Sequence, residues 1–338
     1  MADLAHAGAV TERLDAFMAR ANAAYYAARD PFSDFTTSPE ISQVFGELVG
    51  AWAAVVWEQM GEPSPVLLAE AGPGRGTLMA DALRTIGRVA PRLRRALRVH
   101  FIETSERLRA AQAERVPDAV WHPAVDFLPA RGPLLLIANE FFDVLPIRQF
   151  VRACSRPRGW MERYVCDGKF IERADADAPA CDAVDGEIVE INEAARAIAA
   201  WLGARLSTEG GVALIIDYGP ERSAPGDSLQ ALRDGRPADP LAEPGLADLT
   251  AHVDFQALAE AARAAGAAVH GPVPQGIFLT RLGLHPRAHA LACTQPPARA
   301  AAVIESARRL AEPAQMGRLF KAMALCHPSL PTPPGFEA

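Results

Sequence analysis

Residues 66–77 read VLLAEAGPGRGT, and this stretch decides the predicted fold. Its first four residues form a short apolar run that is typical of a buried strand, and the run ends at Glu70. The turn 72–76 carries three glycines, and a helix is predicted from Thr77. Glycine allows the backbone to turn sharply and to approach a ligand, and a helix N-terminus presents free N–H groups. The stretch therefore predicts a strand, a ligand-binding loop and a helix in succession.

Further apolar runs alternate with predicted helices along the chain. They lie at 99–102, more weakly at 120–122, and at 134–138 and 212–216. Buried apolar strands that alternate with helices are typical of a parallel sheet covered on both faces. The predicted fold class is α/β, with a doubly wound, mostly parallel, Rossmann-like sheet.

Two regions depart from this alternation. Residues 147–173 are predicted to form antiparallel strands, with a hairpin turn at Asp167-Gly168. Residues 220–250 are rich in Pro, Gly, Asp and Ala and are predicted to form a long functional loop. Nearer the N-terminus, helices are expected at 11–29 and 41–60, and Ser38 is expected to cap the start of the second.

These elements suggest a division of the chain into four parts. An N-terminal helical region is predicted at 1–62 and the core domain at 63–146 and 212–290. An inserted β arm with a helix is predicted at 147–211, and a C-terminal helical segment at 291–338.

Polar residues follow several of the predicted strands. The carboxyl ends of parallel strands meet at one edge of a sheet, where ligands bind, and a carboxylate in the position of Glu103 accepts hydrogen bonds from ribose hydroxyls. The glycine spacing is G-x-G-x-G, unlike the G-x-G-x-x-G of dinucleotide-binding enzymes, which makes an NAD-dependent oxidoreductase less favoured. The predicted cofactor-binding residues are Ser38, Glu70, Gly72, Gly74, Gly76, Glu103, Thr104, Asp126 and Asn139.

Composition limits the possible settings and partners. The formal net charge of −7 argues against general binding of polyanions. The five cysteines, at 154, 166, 181, 293 and 326, are dispersed, which argues against a disulfide framework and against a Cys-based metal site, so no metal is predicted. They favour a reducing, cytoplasmic location. No secretory or transit signal and no apolar run long enough to span a bilayer is recognised, so membrane insertion is not expected.

One basic run favours nucleic acid. It comprises Arg84, Arg88, Arg92, Arg94, Arg95 and Arg98. Such a run is usually a solvated face, and the chain as a whole is acidic, so an RNA-binding role is the less favoured interpretation.

Several longer strings resemble one family. Residues 34–48 (DFTTSPEISQVFGEL), 70–78 (EAGPGRGTL), 139–146 (NEFFDVLP), 217–219 (DYG) and 247–255 (ADLTAHVDF) resemble signatures of the MidA family, and Met316-Gly317 also fits. This resemblance implies a class I fold that binds S-adenosyl-L-methionine (SAM). The family includes a mitochondrial respiratory complex I assembly factor similar to protein arginine methyltransferases. A protein partner, such as a complex I subunit, is therefore expected. Asn139 departs from the family, in which some members carry His there.

Methyl transfer to arginine requires side chains that orient a guanidinium. Arginine stays protonated in solution, so carboxylates that bind it and localise its charge are expected. Glu140 and Asp143, just after the fourth strand, are the first catalytic candidates, and Asp254 and His252 are the second. Structural hydrogen bonding is an open alternative for Glu140 and Asp143, and a structural role is the favoured interpretation for His252. Capping of the glycine turn is the alternative for Glu70. A non-catalytic SAM-binding assembly factor and an RNA methyltransferase remain open as alternative functions.

Overall fold

The structure is a computed structural model, and it describes residues 11–29, 36–153, 159–175 and 183–337. These residues group into two compact units. The arm unit takes its residues from 1–35, 144–195 and 223–252, and the sheet unit from 36–143, 196–222 and 253–338. The four-part division predicted from the sequence stays a prediction.

The strands are β1 (Thr11–Arg13), β2 (Val66–Ala71), β3 (Leu97–Ile102), β4 (Val120–His122), β5 (Leu134–Asn139), β6 (Arg148–Arg152), β7 (Trp160–Cys166), β8 (Lys169–Asp175), β9 (Ile188–Ile191), β10 (Gly211–Tyr218), β11 (Gln230–Arg233), β12 (Arg236–Ala238), β13 (Asp248–Thr250), β14 (Ala268–Pro274) and β15 (Phe320–Cys326). The helices are α1 (Leu14–Ala28), α2 (Ser38–Ile41), α3 (Gln43–Gln59), α4 (Thr77–Val89), α5 (Pro91–Ala96), α6 (Glu106–Arg115), α7 (Glu193–Glu209), α8 (Phe255–Ala264), α9 (Gln275–Arg281), α10 (Leu284–Ala292), α11 (Pro297–Ala311) and α12 (Met316–Leu319).

The sheet unit contains a seven-stranded sheet in the order β14-β15-β10-β5-β2-β3-β4. The five strands from β10 to β4 are parallel, and β14 and β15 run antiparallel to their neighbours. All residues of β2 and β5 are buried, as expected for strands covered on both faces. The predicted fold class, a mostly parallel α/β sheet, is confirmed.

The last strand of the sheet was not predicted. The segment 291–338 was expected to be helical, but β15 lies fully buried between β10 and β14. Its sequence, FKAMALC, is rich in residues that favour helices and shows no alternation of polar and apolar side chains. Burial between two neighbouring strands therefore overrides local propensity here.

The helix predicted at 41–60 is interrupted. The short helix α2 begins at Ser38, with Thr37 at its N-cap, so the prediction of Ser38 as the cap is wrong. The chain then becomes extended at Ser42, whose side chain accepts a hydrogen bond from the Val44 N–H at 3.3 Å and caps α3. Ser38, before this break, is buried, and its backbone N–H donates to the Glu140 carboxylate at 2.9 Å.

Small residues allow α3 to approach α4 closely. A Cβ added to Gly50 would lie 2.6 Å from the Ala82 carbonyl oxygen, and one added to Gly46 would lie 2.7 Å from the Asp81 Cβ. Because α4 follows the glycine loop directly, this packing fixes the start of α4 and the loop before it.

The arm unit is built from antiparallel strands. Its larger sheet has the order β1-β7-β6-β9, with β8 also paired to β7. The predicted hairpin is confirmed, because Val165 pairs with Phe170 across a two-residue turn at Asp167-Gly168, both of which have positive φ. Residues 11–13, predicted as the start of a helix, instead form a strand paired with β7.

The region 220–250 was predicted to be a long loop, but in the structure it contains strands. It contains β11, β12 and β13, which form a three-stranded sheet within the arm unit. The turn residues Asp234 and Gly235 both have positive φ, and a short chain reversal there joins β11 to β12. Pro and Gly mark the turns of this small sheet, and their abundance gave the sequence its loop-like composition.

No helix of the described residues has the length and apolar character needed to cross a membrane. Cys166, Cys293 and Cys326 are free thiols, and Cys154 and Cys181 lie outside the described residues. Part of the 34–48 string, residues 34 and 35, also lies outside them.

Candidate functional site

The glycine loop joins β2 to α4 in left-handed backbone conformations. Gly72, Gly74 and Gly76 have φ values of +65°, +54° and +78°. Glycine adopts such values without steric cost. The Gly72 N–H donates to the Ile102 carbonyl at 3.1 Å, which ties the loop to the end of β3, and the Gly76 N–H donates to Pro73 at 2.7 Å. The loop is thus a backbone cradle in front of a helix N-terminus.

Glu70 lies within β2, just before this loop, and is only 3% exposed. Burial raises the pKa of its carboxyl to about 8, opposed in part by a hydrogen bond from the Met79 backbone N–H. Its Oε2 atom has no partner among the described residues. A buried carboxylate oxygen without a partner is costly, so the geometry suits a cationic or hydrogen-bonding ligand group at this point.

Glu103 follows the end of β3 and is held by the start of α6. Its Oε1 accepts hydrogen bonds from the N–H groups of Thr104 at 2.8 Å and Ser105 at 2.7 Å. Its Oε2 accepts from the Gln112 side-chain amide at 3.2 Å. Burial raises the pKa of Glu103, and these hydrogen bonds oppose the shift. The carboxylate is therefore fixed in position by three donors.

Gln112 is a site residue that the sequence prediction missed. Besides contacting Glu103, its amide donates to the Gly74 carbonyl at 2.7 Å, and its amide oxygen accepts from the Trp121 indole at 2.7 Å. Gln112 is fully buried and joins the glycine loop to Glu103. In the sequence, Gln112 is one polar residue in an Ala- and Arg-rich helix, which does not indicate a role in the site. Its burial follows from the packing of α6 in the folded protein.

Glu140 follows β5 directly and has a φ of +51°, which is uncommon for a residue with a side chain. Its Oε1 accepts hydrogen bonds from the Ser38 backbone N–H at 2.9 Å and the Asn139 side-chain amide at 3.1 Å. Burial raises the pKa of Glu140 to about 7, and the charge of the buried Asp143 adds to this shift. The structure thus places Ser38, Asn139, Glu140 and Asp143 in one local cluster.

Asp217, near the end of β10, fixes the turn that carries Glu140 and Asp143. Its Oδ2 accepts N–H hydrogen bonds from Phe141 at 3.1 Å, Phe142 at 2.9 Å and Asp143 at 3.3 Å. Asp217 is fully buried, and burial, reinforced by the charge of Asp143, raises its pKa well above the ordinary value. The sequence prediction gave Asp217 no role, although its position near a strand end was a signal of one.

Three chain segments converge at this edge of the sheet. The ring of Phe141 lies against the glycine loop, since a Cβ added to Gly72 would be 3.1 Å from the Phe141 Cδ2. The Thr77 hydroxyl, at the start of α4, donates to the Glu40 carboxylate at 2.5 Å. Residues 36–41, 70–77 and 139–143 therefore form one site within the sheet unit.

The remaining predicted residues lie elsewhere or have other roles in the structure. Thr104 is exposed beside Glu103, and Asp126 is exposed in the turn Val125–Phe127. Asp254 caps α8 by accepting a hydrogen bond from the Ala257 N–H at 3.0 Å. His252, in the arm unit, has an exposed side chain, and its backbone N–H donates to the Ser228 hydroxyl at 2.8 Å. Their predicted catalytic or binding roles stay predictions.

Known proteins that are similar to this chain include methyltransferases that use S-adenosyl-L-methionine. A family model that describes S-adenosyl-L-methionine-dependent methyltransferases, Methyltransf_28, matches residues 48–273. A solved structure of a COG1565 superfamily member from Burkholderia thailandensis, bound to S-adenosyl-homocysteine, aligns with a TM-score of 0.75 and 25% identity, covering 98% of this chain and 89% of the other. A second COG1565 superfamily structure from that organism aligns with a TM-score of 0.78 and 27% identity, over the same shares of the two chains.

Curated relatives match over most of the chain. The mitochondrial protein arginine methyltransferase NDUFAF7 homolog of Drosophila melanogaster is 34% identical, over 94% of this chain and 80% of the relative. Human mitochondrial NDUFAF7, also named a protein arginine methyltransferase, is 33% identical, over 89% of this chain and 76% of the relative. Both names specify mitochondria, so the cytoplasmic location predicted from the cysteines is wrong. Dispersed free cysteines indicate a reducing environment, but they do not distinguish one compartment from another.

Proposed function

Because the chain belongs to the MidA family of S-adenosyl-L-methionine-dependent methyltransferases, we propose that it transfers a methyl group to an arginine side chain of a protein. The observation that carries this proposal is the half-buried Glu140 carboxylate, held beside the buried Asp143 on a turn that packs against the glycine loop. A pair of carboxylates next to a cofactor cradle is the arrangement that can orient a guanidinium.

The residues at the loop suit the cofactor that the family uses. The three positive-φ glycines leave space for close approach of a ligand. The buried Oε2 of Glu70, which has no partner among the described residues, is suited to bind the ammonium group of the amino-acid tail of the cofactor. Glu103, fixed by Thr104, Ser105 and Gln112, is suited to accept hydrogen bonds from ribose hydroxyls. When bound, the cofactor supplies a methyl group already activated on a sulfonium. The task of the chain is then orientation and electrostatics.

Glu140 is proposed to bind and orient the substrate guanidinium. In the free site its carboxyl has a pKa of about 7, and a bound guanidinium lowers that pKa because opposite charges favour the ionised form. The ionised carboxylate draws the positive charge of the guanidinium toward the nitrogens it contacts, which leaves the lone pair of another nitrogen available. As the new N–C bond forms, the bond between the methyl carbon and the sulfonium sulfur would break, and its electron pair would stay on sulfur to leave S-adenosyl-homocysteine. The excess proton on the guanidinium passes to the carboxylate and then to solvent.

The proposed partner is a subunit of respiratory complex I or its bacterial counterpart. Support for this choice comes from the relatives, which are named NDUFAF7, and from the MidA-type strings at 34–48 and 139–146. The arm unit, with its exposed hairpin turn at Asp167-Gly168, offers a surface for a protein of this kind.

Incubation with SAM carrying a labelled methyl group tests the proposal. The full chain is mixed with cell extract, and the labelled species are identified by mass spectrometry. Methylarginine in a protein, absent from a parallel reaction with Glu140→Gln, is the expected result. Label in RNA, or no label in any protein while S-adenosyl-homocysteine still binds, contradicts the proposal and favours an RNA methyltransferase or a non-catalytic assembly factor.

A further inference from the structure

A cavity of about 910 Å³ in the sheet unit is separate from the residues proposed to bind the cofactor. Its walls come from α4, α5, β3 and the segment 115–120. The cationic side chains that line it are Arg84, Arg94, Arg95, Arg98 and Arg115, and Asp118 is the carboxylate among the lining residues. We call it the arginine cavity. Such a concentration of positive charge contrasts with a chain whose net charge is −7.

Most of this charge is not neutralised within the protein. Arg84 forms ion pairs with Asp81 and Glu47. By contrast, no carboxylate of the described residues pairs with Arg94 or Arg95, and both side chains are exposed. Two adjacent guanidinium groups that pair with no carboxylate of the described residues attract an anionic partner.

The floor of the cavity is apolar. Leu67, Leu83, Val99 and Val116 contribute to it, and Val120 lines it with 50% of its surface exposed. No Phe, Tyr or Trp is among the described residues that line the cavity. Single-stranded nucleic acids usually stack their bases on aromatic side chains, so this lining is unsuited to RNA and fits aliphatic side chains instead.

One residue that lines the cavity, Arg115, also reaches the cofactor loop. The Arg115 guanidinium, which lines the cavity, donates to the carbonyl of Arg75 at 3.2 Å. The cavity is lined by Leu67, near the start of β2, and by Leu97 and Arg98, the first residues of β3, whereas Glu140 follows the end of β5. A segment bound in the cavity therefore leaves the cluster around Glu140 unoccupied.

We propose that the arginine cavity binds an acidic segment of the protein substrate that also carries aliphatic side chains, an inference that rests on the proposed function. The carboxylates of the segment form charge-assisted hydrogen bonds with Arg94 and Arg95, and its aliphatic side chains lie on the floor near Val99 and Val120. The cavity thereby selects which protein presents its arginine to the site.

Binding of a labelled peptide of alternating glutamate and leucine, followed by fluorescence anisotropy, tests the inference directly. The double variant Arg94→Gln/Arg95→Gln is expected to weaken binding about tenfold, because hydrogen bonds between charged groups are lost. The matched control is Arg88→Gln/Arg92→Gln, which removes the same charge from the same basic run but from residues that do not line the cavity. The control is expected to bind the peptide within about twofold of the unaltered chain.

Three results would overturn the inference: equal losses in both double variants, equal binding of the corresponding glutamine-leucine peptide, or tighter binding of an RNA oligonucleotide of the same length. Binding of S-adenosyl-homocysteine by each variant shows whether the fold is retained.

A separate assay distinguishes failure of this inference from failure of the proposed function. Methyl transfer to a short arginine peptide without acidic residues does not need the arginine cavity, so Arg94→Gln/Arg95→Gln is expected to leave it unchanged. Transfer to that peptide without binding of the acidic peptide overturns the docking inference alone. Binding of the acidic peptide without any transfer by the unaltered chain overturns the proposed function, and with it the substrate role of the cavity.

Discussion

Glu140 combines a left-handed backbone conformation with a half-buried, partly protonated carboxyl. A φ of +51° is costly for a residue with a Cβ, and such strain persists where the surrounding structure holds it in place. Here Asp217 holds the following turn through three backbone N–H groups. The strained backbone aims the carboxylate at Ser38 and Asn139, so the conformation serves the position of one functional side chain.

The first prediction concerns replacement of the Glu140 carboxylate. Glu140→Gln keeps the size of the side chain and removes its charge, so kcat/KM for an arginine substrate is expected to fall about 100-fold or more. Binding of S-adenosyl-homocysteine is expected to stay close to that of the unaltered enzyme. Glu106→Gln, an exposed carboxylate in the first turn of α6, is the matched control. Retention of more than half of the activity by Glu140→Gln would contradict the assigned role.

The pKa of Glu140 predicts how kcat/KM depends on pH. The pKa of Glu140 is about 7 in the free enzyme, and only the ionised form pairs with a guanidinium. The kcat/KM value is therefore expected to rise with pH through about 7 and to level off above it. A profile of kcat/KM against pH measures this, and a flat profile from pH about 6 to about 8 would argue against Glu140 as the group that binds substrate.

Glu70 gives a prediction about cofactor binding. Its pKa of about 8 means that the free site holds a proton at neutral pH, and a ligand ammonium beside it favours loss of that proton. Binding of S-adenosyl-homocysteine at pH about 7 is expected to release a proton, seen in calorimetry as a binding enthalpy that depends on the buffer. The Glu70→Gln variant should lose this dependence; if it persists unchanged, the proton comes from another group.

At the scale of elements, the glycine loop is the part of the site most sensitive to added volume. In Gly72→Ala, the alanine would have to adopt a φ of +65°, and its Cβ would lie 3.1 Å from the Cδ2 of Phe141. The substitution is therefore expected to lower the free energy of unfolding by about 1–2 kcal/mol. It should also weaken binding of S-adenosyl-homocysteine, because the loop must shift.

Gly87→Ala is the matched control for that variant. Gly87 lies inside α4 with no atom within 4 Å of an added Cβ, so the substitution is expected to stabilise the protein by about 0.5–1 kcal/mol. Urea denaturation of both variants measures the difference. If Gly72→Ala proves as harmless as Gly87→Ala, the loop is less constrained than its contacts indicate.

The parallel strands and the glycine loop were predictable because their signals are local. A short apolar run followed by glycines and a carboxylate specifies strand, loop and site within about a dozen residues. The break at Ser42, the strand β15 and the role of Gln112 were not predictable in this way. The strand β15 and the role of Gln112 depend on partners far away in sequence, such as Gly74 for Gln112, and side chains alone do not reveal such partners. The cap at Ser42 is local, through the Val44 N–H.

The main carboxylates of the candidate site were also predictable from the sequence. Glu70, Glu103 and Glu140 follow or end strands, and the shared edge of a parallel sheet brings strand ends together. Asp126 has the same signal in the sequence but lies exposed in a turn, because β4 is short and ends before it. Strand position alone therefore does not tell a buried carboxylate from a solvated one.

At the scale of the whole molecule, buried carboxylates predict how stability varies with pH. Glu70, Glu140 and Asp217 all have pKa values raised above those of the unfolded chain, mainly by burial. The folded state therefore holds more protons, and the stability these groups contribute is present at acid pH and lost as pH rises through about 7 to 8.

Urea denaturation at pH about 6 and about 9 measures this effect. The free energy of unfolding is expected to be lower at the higher pH, and the decrease should be smaller in Glu70→Gln, which has no charge to bury. An equal decrease in Glu70→Gln would mean that Glu70 does not contribute to the pH dependence of stability.

The position of β15 in the sheet has a consequence for how the protein is made. During synthesis, β10 emerges about a hundred residues before its neighbour Phe320–Cys326, and β14 pairs with that same late strand. Until the ribosome has released these residues, one side of β10 offers unpaired peptide groups and bare aliphatic surface to its surroundings. Nascent chains stalled before residue 320 should therefore be the ones that chaperones retain.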